Sequence, residues 1–98
     1  MRTFKHNDTE VYLNSTSYRN NGTLAIEMIT IPDEESRSVI TVNLDCQLQS
    51  DKLAFVDENN NPGIGAWLQE NGIAKPLGYR QRSGFCLYEL YSFNPAAL

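Results

Sequence analysis

Apolar and polar residues alternate in short runs along this chain, separated at close intervals by turn-forming residues. The first run, from about Glu10 to Tyr18, includes Val11, Leu13 and Tyr18 and stops at Asn20-Asn21-Gly22. Asn-Gly is a strong hairpin signal because both residue types tolerate positive φ. The second run, Leu24 to Ile31, places apolar side chains on both alternating sets: Leu24, Ile26 and Met28, then Ala25, Ile29 and Ile31. A strand of that kind has much of both faces covered. After the acidic turn Pro32-Asp33-Glu34-Glu35, the segment Ser38 to Leu44 sends Ile40, Val42 and Leu44 to one face and Val39, Thr41 and Asn43 to the other. This is the alternation of a half-buried strand. A loop from Asp45 to Asp51 leads to a short fourth strand, Leu53 to Val56.

The period then changes. Ile64, Trp67 and Leu68 recur at helical spacing, preceded by Asn61-Pro62 and followed by Asn71-Gly72. Asn61 suits an N-cap, Pro62 the first helical position, and Gly72 the left-handed residue that closes a helix. A helix of about ten residues is marginal alone, so its stability must come from laying Trp67 on the sheet. Ala74-Lys75-Pro76-Leu77-Gly78 reads as a connection. The last strand, about Phe85 to Phe93, alternates Phe85, Leu87, Tyr91 and Phe93 with Cys86, Tyr88 and Leu90. The order predicts an α+β fold: one antiparallel sheet of four to five strands with one short helix packed on one face. The 98 residues suit a single domain, 1–98, with 1–8 as a flexible N-terminus.

Composition narrows the class. The chain is 41% hydrophobic and 20% charged, as in globular proteins and unlike disordered ones. No apolar run reaches the roughly 18 residues of a membrane span, and the start of the chain shows no signal-peptide core. The expected compartment is the cytoplasm, where Cys46 and Cys86 are reduced thiols. Net charge is −4, which argues weakly against a general nucleic-acid binder. That charge is unevenly placed. Residues 1–70 hold 5 basic and 11 acidic side chains, net −6, whereas residues 71–98 carry Lys75, Arg80 and Arg82 against Glu89, net +2.

Recognisable chemistry is scarce. Asp57-Glu58-Asn59-Asn60-Asn61 opens like a calcium loop, but the required sixth-position Gly is Pro62 and the twelfth-position Glu is Leu68. Helix capping accounts for the same residues. Gly63-Ile64-Gly65 lacks the Lys and Ser/Thr of a phosphate loop. The single histidine, His6, lies in the expected loose N-terminus, far in sequence from Cys46, Cys86 and Ser83. A catalytic triad needs a base held against its nucleophile. These residues predict a non-enzyme with no cofactor and no metal.

The segment Tyr79-Arg80-Gln81-Arg82-Ser83-Gly84-Phe85-Cys86-Leu87-Tyr88 stands apart. Its two arginines and three aromatics suit a protein interface, with Tyr79, Arg80, Arg82 and the Ser83-Gly84 hinge as candidate partner-binding residues. The same chemistry suits weak binding of single-stranded nucleic acid. A third reading puts Phe85 and Leu87 in the core and leaves the arginines on a solvated loop. Oligomeric state and strand order are unreadable at this level.

Four blocks carry a family resemblance: Asn43-Leu44, Ala54-Phe55-Val56-Asp57-x-Asn59-Asn60-x-Pro62, Asn71-Gly72-Ile73-Ala74-x-Pro76, and Arg82-Ser83-Gly84-Phe85-Cys86-x-Tyr88-x-Leu90-Tyr91-x-Phe93-Asn94. Across roughly residues 14–94 the chain resembles small domains of unknown function from conjugative transposons, plasmids and phages of Gram-positive bacteria. Glu58 stands where relatives often carry Thr. The resemblance implies a mobile-element accessory protein acting on an unidentified protein partner, with no catalytic residues to carry over.

Overall fold

The computed structural model describes residues 2–44, 48 and 50–98. The fold is mostly antiparallel strand with one short helix, but the strands form two four-stranded sheets rather than the expected single one. The first sheet has the order β1-β2-β3-β4, made of Phe4–His6, Thr9–Ser17, Leu24–Thr30 and Ser36–Val39. The second has the order β5-β6-β8-β7, made of Thr41–Val42, Leu53–Val56, Cys86–Phe93 and Ala74–Ser83. Helix α1, Ile64–Glu70, lies between β6 and β7 in the chain, and a 3-10 turn, Pro95–Ala97, ends it.

The division into two sheets falls inside one predicted strand. Ser38 to Leu44 alternates as expected, yet Ile40 breaks it into β4 and β5. The Ile40 N–H donates to Ile26 of β3 at 3.0 Å, while its carbonyl accepts from Asp57 beyond β6 at 2.9 Å. One fully buried residue thus serves both sheets. Thr41 completes the crossing: its hydroxyl oxygen accepts from the Ile26 N–H at 3.1 Å and meets the Tyr18 hydroxyl at 3.1 Å. Buried polar groups need such partners.

The inward faces of both sheets and the helix share one apolar cluster, including Val11, Leu13, Ile26 and Met28 from the first sheet and Val56, Tyr91 and Phe93 from the second. Ile64 and Leu68 fill it from the helix. The helix is shorter than predicted, and Asn61 is not its cap. Pro62 stays outside, and Gly63, at φ 85°, is the N-cap. The side chain that satisfies the first turn is Glu58, which accepts from the Gly63 N–H and, at 2.9 Å, from the Gly65 N–H. At the other end Gly72, at φ 67°, is left-handed as predicted. Its N–H donates to Gln69, and the Ile73 N–H reaches back to Leu68 at 2.9 Å, closing a Schellman motif.

The N-terminus is not loose from Phe4 onward. Phe4–His6 pairs with Thr9–Val11 through a two-residue turn in which Asn7 and Asp8 both have positive φ. That is a type I′ turn, which Asn and Asp tolerate. Trp67 holds this hairpin down: its ring meets Phe4 and His6 edge-on, and its indole N–H donates to the Lys5 carbonyl at 2.7 Å.

Candidate functional site

The segment predicted to be a connection followed by a loop is instead a long strand, β7, and β8 runs back beside it at the centre of the second sheet. Partner strand β6 covers β8 only from Glu89 to Ser92. Beyond Glu89, Gln81–Ser83 and Cys86–Tyr88 pair, among the described residues, solely with each other. This end of the hairpin projects as a two-stranded arm. Its turn is Gly84-Phe85, flanked by the Ser83–Cys86 pair. Gly84 has φ 61° and Phe85 does not enter the positive region, as a type II′ turn requires. Ser83-Gly84 is therefore part of a tight turn, not a hinge.

The arm is where the structure departs most from the predicted burial. Phe85 is 105% exposed and Leu87 52%, against the reading that puts both in the core. Leu87 does share a face with Tyr91 and Phe93, which are buried. The face continues past the end of β6, and among the described residues nothing buries its outer part. Among the described residues, Leu77, Tyr79, Phe85 and Leu87 of this hairpin make up all but one of the exposed large hydrophobic side chains; the other is Val39.

Register separates the candidate residues by face. Arg80 opposes Glu89 and Arg82 opposes Leu87, so both arginines lie on the Leu87 face. Gln81 opposes Tyr88 on the other face. Tyr79 belongs there too, since its hydroxyl donates to Gln81 at 3.1 Å and its ring tilts against Phe55, 6.2 Å between centroids. The Cys86 side chain, hydrogen-bonded to Tyr88, holds that phenol above the usual tyrosine range, with desolvation adding to the effect. The arginines and the pair Tyr79 and Tyr88 thus occupy opposite sides of the ribbon.

Strand β7 is an outer strand, but its edge is poorly suited to pairing. Pro76 lacks an N–H, and Leu77-Gly78-Tyr79 bulge opposite Leu90 alone, with Gly78 at φ 79°. Lys75, Arg80 and Arg82 add charge. Edge strands are commonly blunted this way against strand addition.

At the root of the arm, on the arginine face, lies a cleft of about 170 Å³ bounded by Val56, Glu58, Arg80, Leu87, Glu89 and Tyr91. Arg80 and Glu89 approach to 4.0 Å with Arg80 largely exposed, a weak pair. Burial first, then the Glu89 and Glu58 carboxylates, push the Tyr91 phenol up. Glu58 is held by the helix amides it caps, so it is positioned as a fixed negative group and not as a free base.

The remaining sequence motifs resolve into structure. Asp57 accepts from the Asn60 backbone at 3.1 Å and its side chain at 2.8 Å, a local turn. Gly65 is a close-packing position: a Cβ there would collide with the Tyr91 hydroxyl. His6 accepts from Arg37 through Nδ1 at 3.1 Å, and Arg37 also reaches the His6 carbonyl and Thr9. Because a guanidinium only donates, His6 is neutral here. Cys46 lies outside the described residues, and Cys86 is a free thiol. Among the described residues no helix is long and apolar enough to cross a membrane.

A family model matches residues 12–98, from β2 to the end of the chain. The chain belongs to the family described as Domain of unknown function (DUF4313). No curated protein and no solved structure matches it. The matched span of this DUF4313 domain includes the whole arm, the root cleft and α1. It excludes β1, the strand that sequence reading missed and that Asn7-Asp8 signals.

Proposed function

We propose that this DUF4313 domain is a non-enzymatic accessory protein that works in the cytoplasm by binding protein through the β7–β8 arm. In keeping with the resemblance of its Ser83-Gly84-Phe85-Cys86 block, the setting proposed is a mobile genetic element of a Gram-positive bacterium. The observation that carries the reading is Phe85, fully exposed at the tip of a projecting ribbon beside Leu87 and Arg82. Exposed aromatic and aliphatic side chains clustered with arginine are the usual anchors of protein interfaces. A solvated loop has no need of a turn-locked Phe. The separation of Tyr79 and Tyr88 from the arginines supports protein over single-stranded nucleic acid, because stacking platform and phosphate contacts would lie on opposite faces.

The test is a photo-crosslinking residue placed at position 85 in cells carrying the native gene, with Asn14 of the first sheet as the control position. Discrete, saturable protein adducts are expected from position 85 and not from position 14. Equal, diffuse labelling from both positions would refute the reading.

A further inference from the structure

We infer that the protein bound by the arm is a second copy of this chain, each arm tip seated against the root cleft of the other. This rests on the reading of the arm as a protein-docking surface. The tip carries Phe85 and Arg82, and Arg82 has no ion-pair partner among the described residues. The root cleft lies on the same face of the same ribbon, with apolar walls from Val56 and Leu87 and two carboxylates, Glu58 and Glu89, against the single cation Arg80. Tip and root are therefore opposite in charge: an apolar side chain with a cation, and an apolar-walled cleft with surplus negative charge.

Because Arg82 and the cleft lie on one face, a two-fold axis crossing the arms brings each tip to the other's root. The contact is then self-complementary and closes as a dimer instead of growing as a filament. Two residues along a strand span about 7 Å, so the distance from Phe85 to Glu89 is about 13 Å, the overlap the two arms need. Pairing is face to face. It does not use the outer edge of β7, which Pro76 and the bulge at Leu77-Gly78-Tyr79 block.

The charge balance of the chain favours the same occupant. The arm is the basic part of a molecule whose first 70 residues are strongly acidic, so a second copy presents the sign the arm requires. Such an interface weakens as salt screens it.

The experiment is sedimentation equilibrium on the purified full chain over a wide concentration range, with Phe85→Ala and Arg82→Glu alongside. Both positions are exposed, so neither substitution disturbs the fold. The wild type is expected to approach twice its mass of 11.1 kDa, and each variant to raise the dissociation constant about tenfold or more. A photo-crosslinker at position 85, in a mixture of isotopically light and heavy chains, is expected to join the tip of one copy to Val56–Glu58 or Leu87–Tyr91 of the other. A wild type that stays at 11.1 kDa throughout would overturn the inference, as would a dimer whose affinity neither substitution changes. Adducts to another protein from position 85 in cells, with a monomeric purified chain, would reject the second copy and leave the arm's role as a protein-docking surface standing.

Discussion

The β1–β2 and β7–β8 hairpins each close through two residues, Asn7-Asp8 and Gly84-Phe85, and each carries aromatic and basic side chains at its end. In the first, Phe4 is buried under Trp67, and Arg37 from β4, at the other edge of the same sheet, fixes His6 by hydrogen bonds. In the second, Phe85 and Leu87 face solvent and the two arginines have only one weak pair between them. The local designs are similar, so turn type and alternation do not distinguish an internal hairpin from an external one. What differs is the presence of another element above it. Trp67 arrives over β1 because helix α1 returns there, whereas β6 ends opposite Glu89 and none of the described elements follows over the arm.

Four measurements would break or sharpen this contrast. The largest effect is expected from Trp67→Ala, which removes two edge-on ring contacts and the bond to Lys5. Loss of about 3 kcal/mol in denaturant unfolding is expected, with hydrogen exchange of β1 accelerating before the rest. An unchanged exchange pattern in residues 4–6 would show that Trp67 does not hold the hairpin.

Gly65→Ala tests the anchored root of the arm. Its methyl group meets the Tyr91 hydroxyl, and overpacking of that kind costs about 2 kcal/mol, more than the helix propensity that alanine gains. Combining it with Tyr91→Phe is expected to recover part of the loss. Equal destabilisation in both backgrounds would point to a different neighbour.

His6 sets a pH dependence on the covered hairpin alone. Burial first, then Arg37, lowers its pKa below the ordinary 6.5. The unfolded chain therefore takes up the proton before the folded one as pH falls. The contribution of neutral His6 is complete above about pH 6.5 and is lost progressively below it, down to the lowered folded value. Unfolding curves of His6→Gln are expected to show a shallower acid loss than wild type in that window. Parallel curves would assign the acid sensitivity elsewhere.

The smallest effect belongs to the arm. At concentrations low enough to keep the chain monomeric, Phe85→Ala is expected to alter stability by less than about 0.5 kcal/mol, since the side chain is fully exposed in the single chain. A loss comparable to that of Trp67→Ala under those conditions would mean that Phe85 is packed within the monomer, and the contrast between the hairpins would collapse.

Much of the framework was legible residue by residue. The Leu24 to Ile31 run reads as covered on both faces, and β3 carries buried residues in both alternating sets. Gly72 after Asn71 marks the helix end, and Trp67 is the side chain that packs the helix laterally. Other features were hidden for physical reasons. Asn61 resembled a cap, but the cap chemistry comes from Glu58, whose reach across a turn leaves no fixed spacing to recognise. Ala74 to Gly78 reads as a connection because Pro76 and Gly78 usually end strands, whereas an outer strand tolerates both at a bulge. Of the candidate site residues, the arginines and Tyr79 are exposed, and it is register that puts them on opposite faces. A bulge of unknown length lies between Pro76 and Arg80, and each added residue reverses the side on which a chain emerges.

Sequence by itself determined the turns, the alternation, the helix position and the concentration of positive charge in the last third of the chain. These depend on residues within a few positions of one another, through backbone sterics and side-chain period. Tertiary structure alone decided that Ile40 would divide one predicted strand between two sheets, that the N-terminal hairpin would be clamped, and that the Phe85 arm would stand free. Alternation assigns a side chain to a face; whether that face is buried depends on where distant strands end and which element crosses above them.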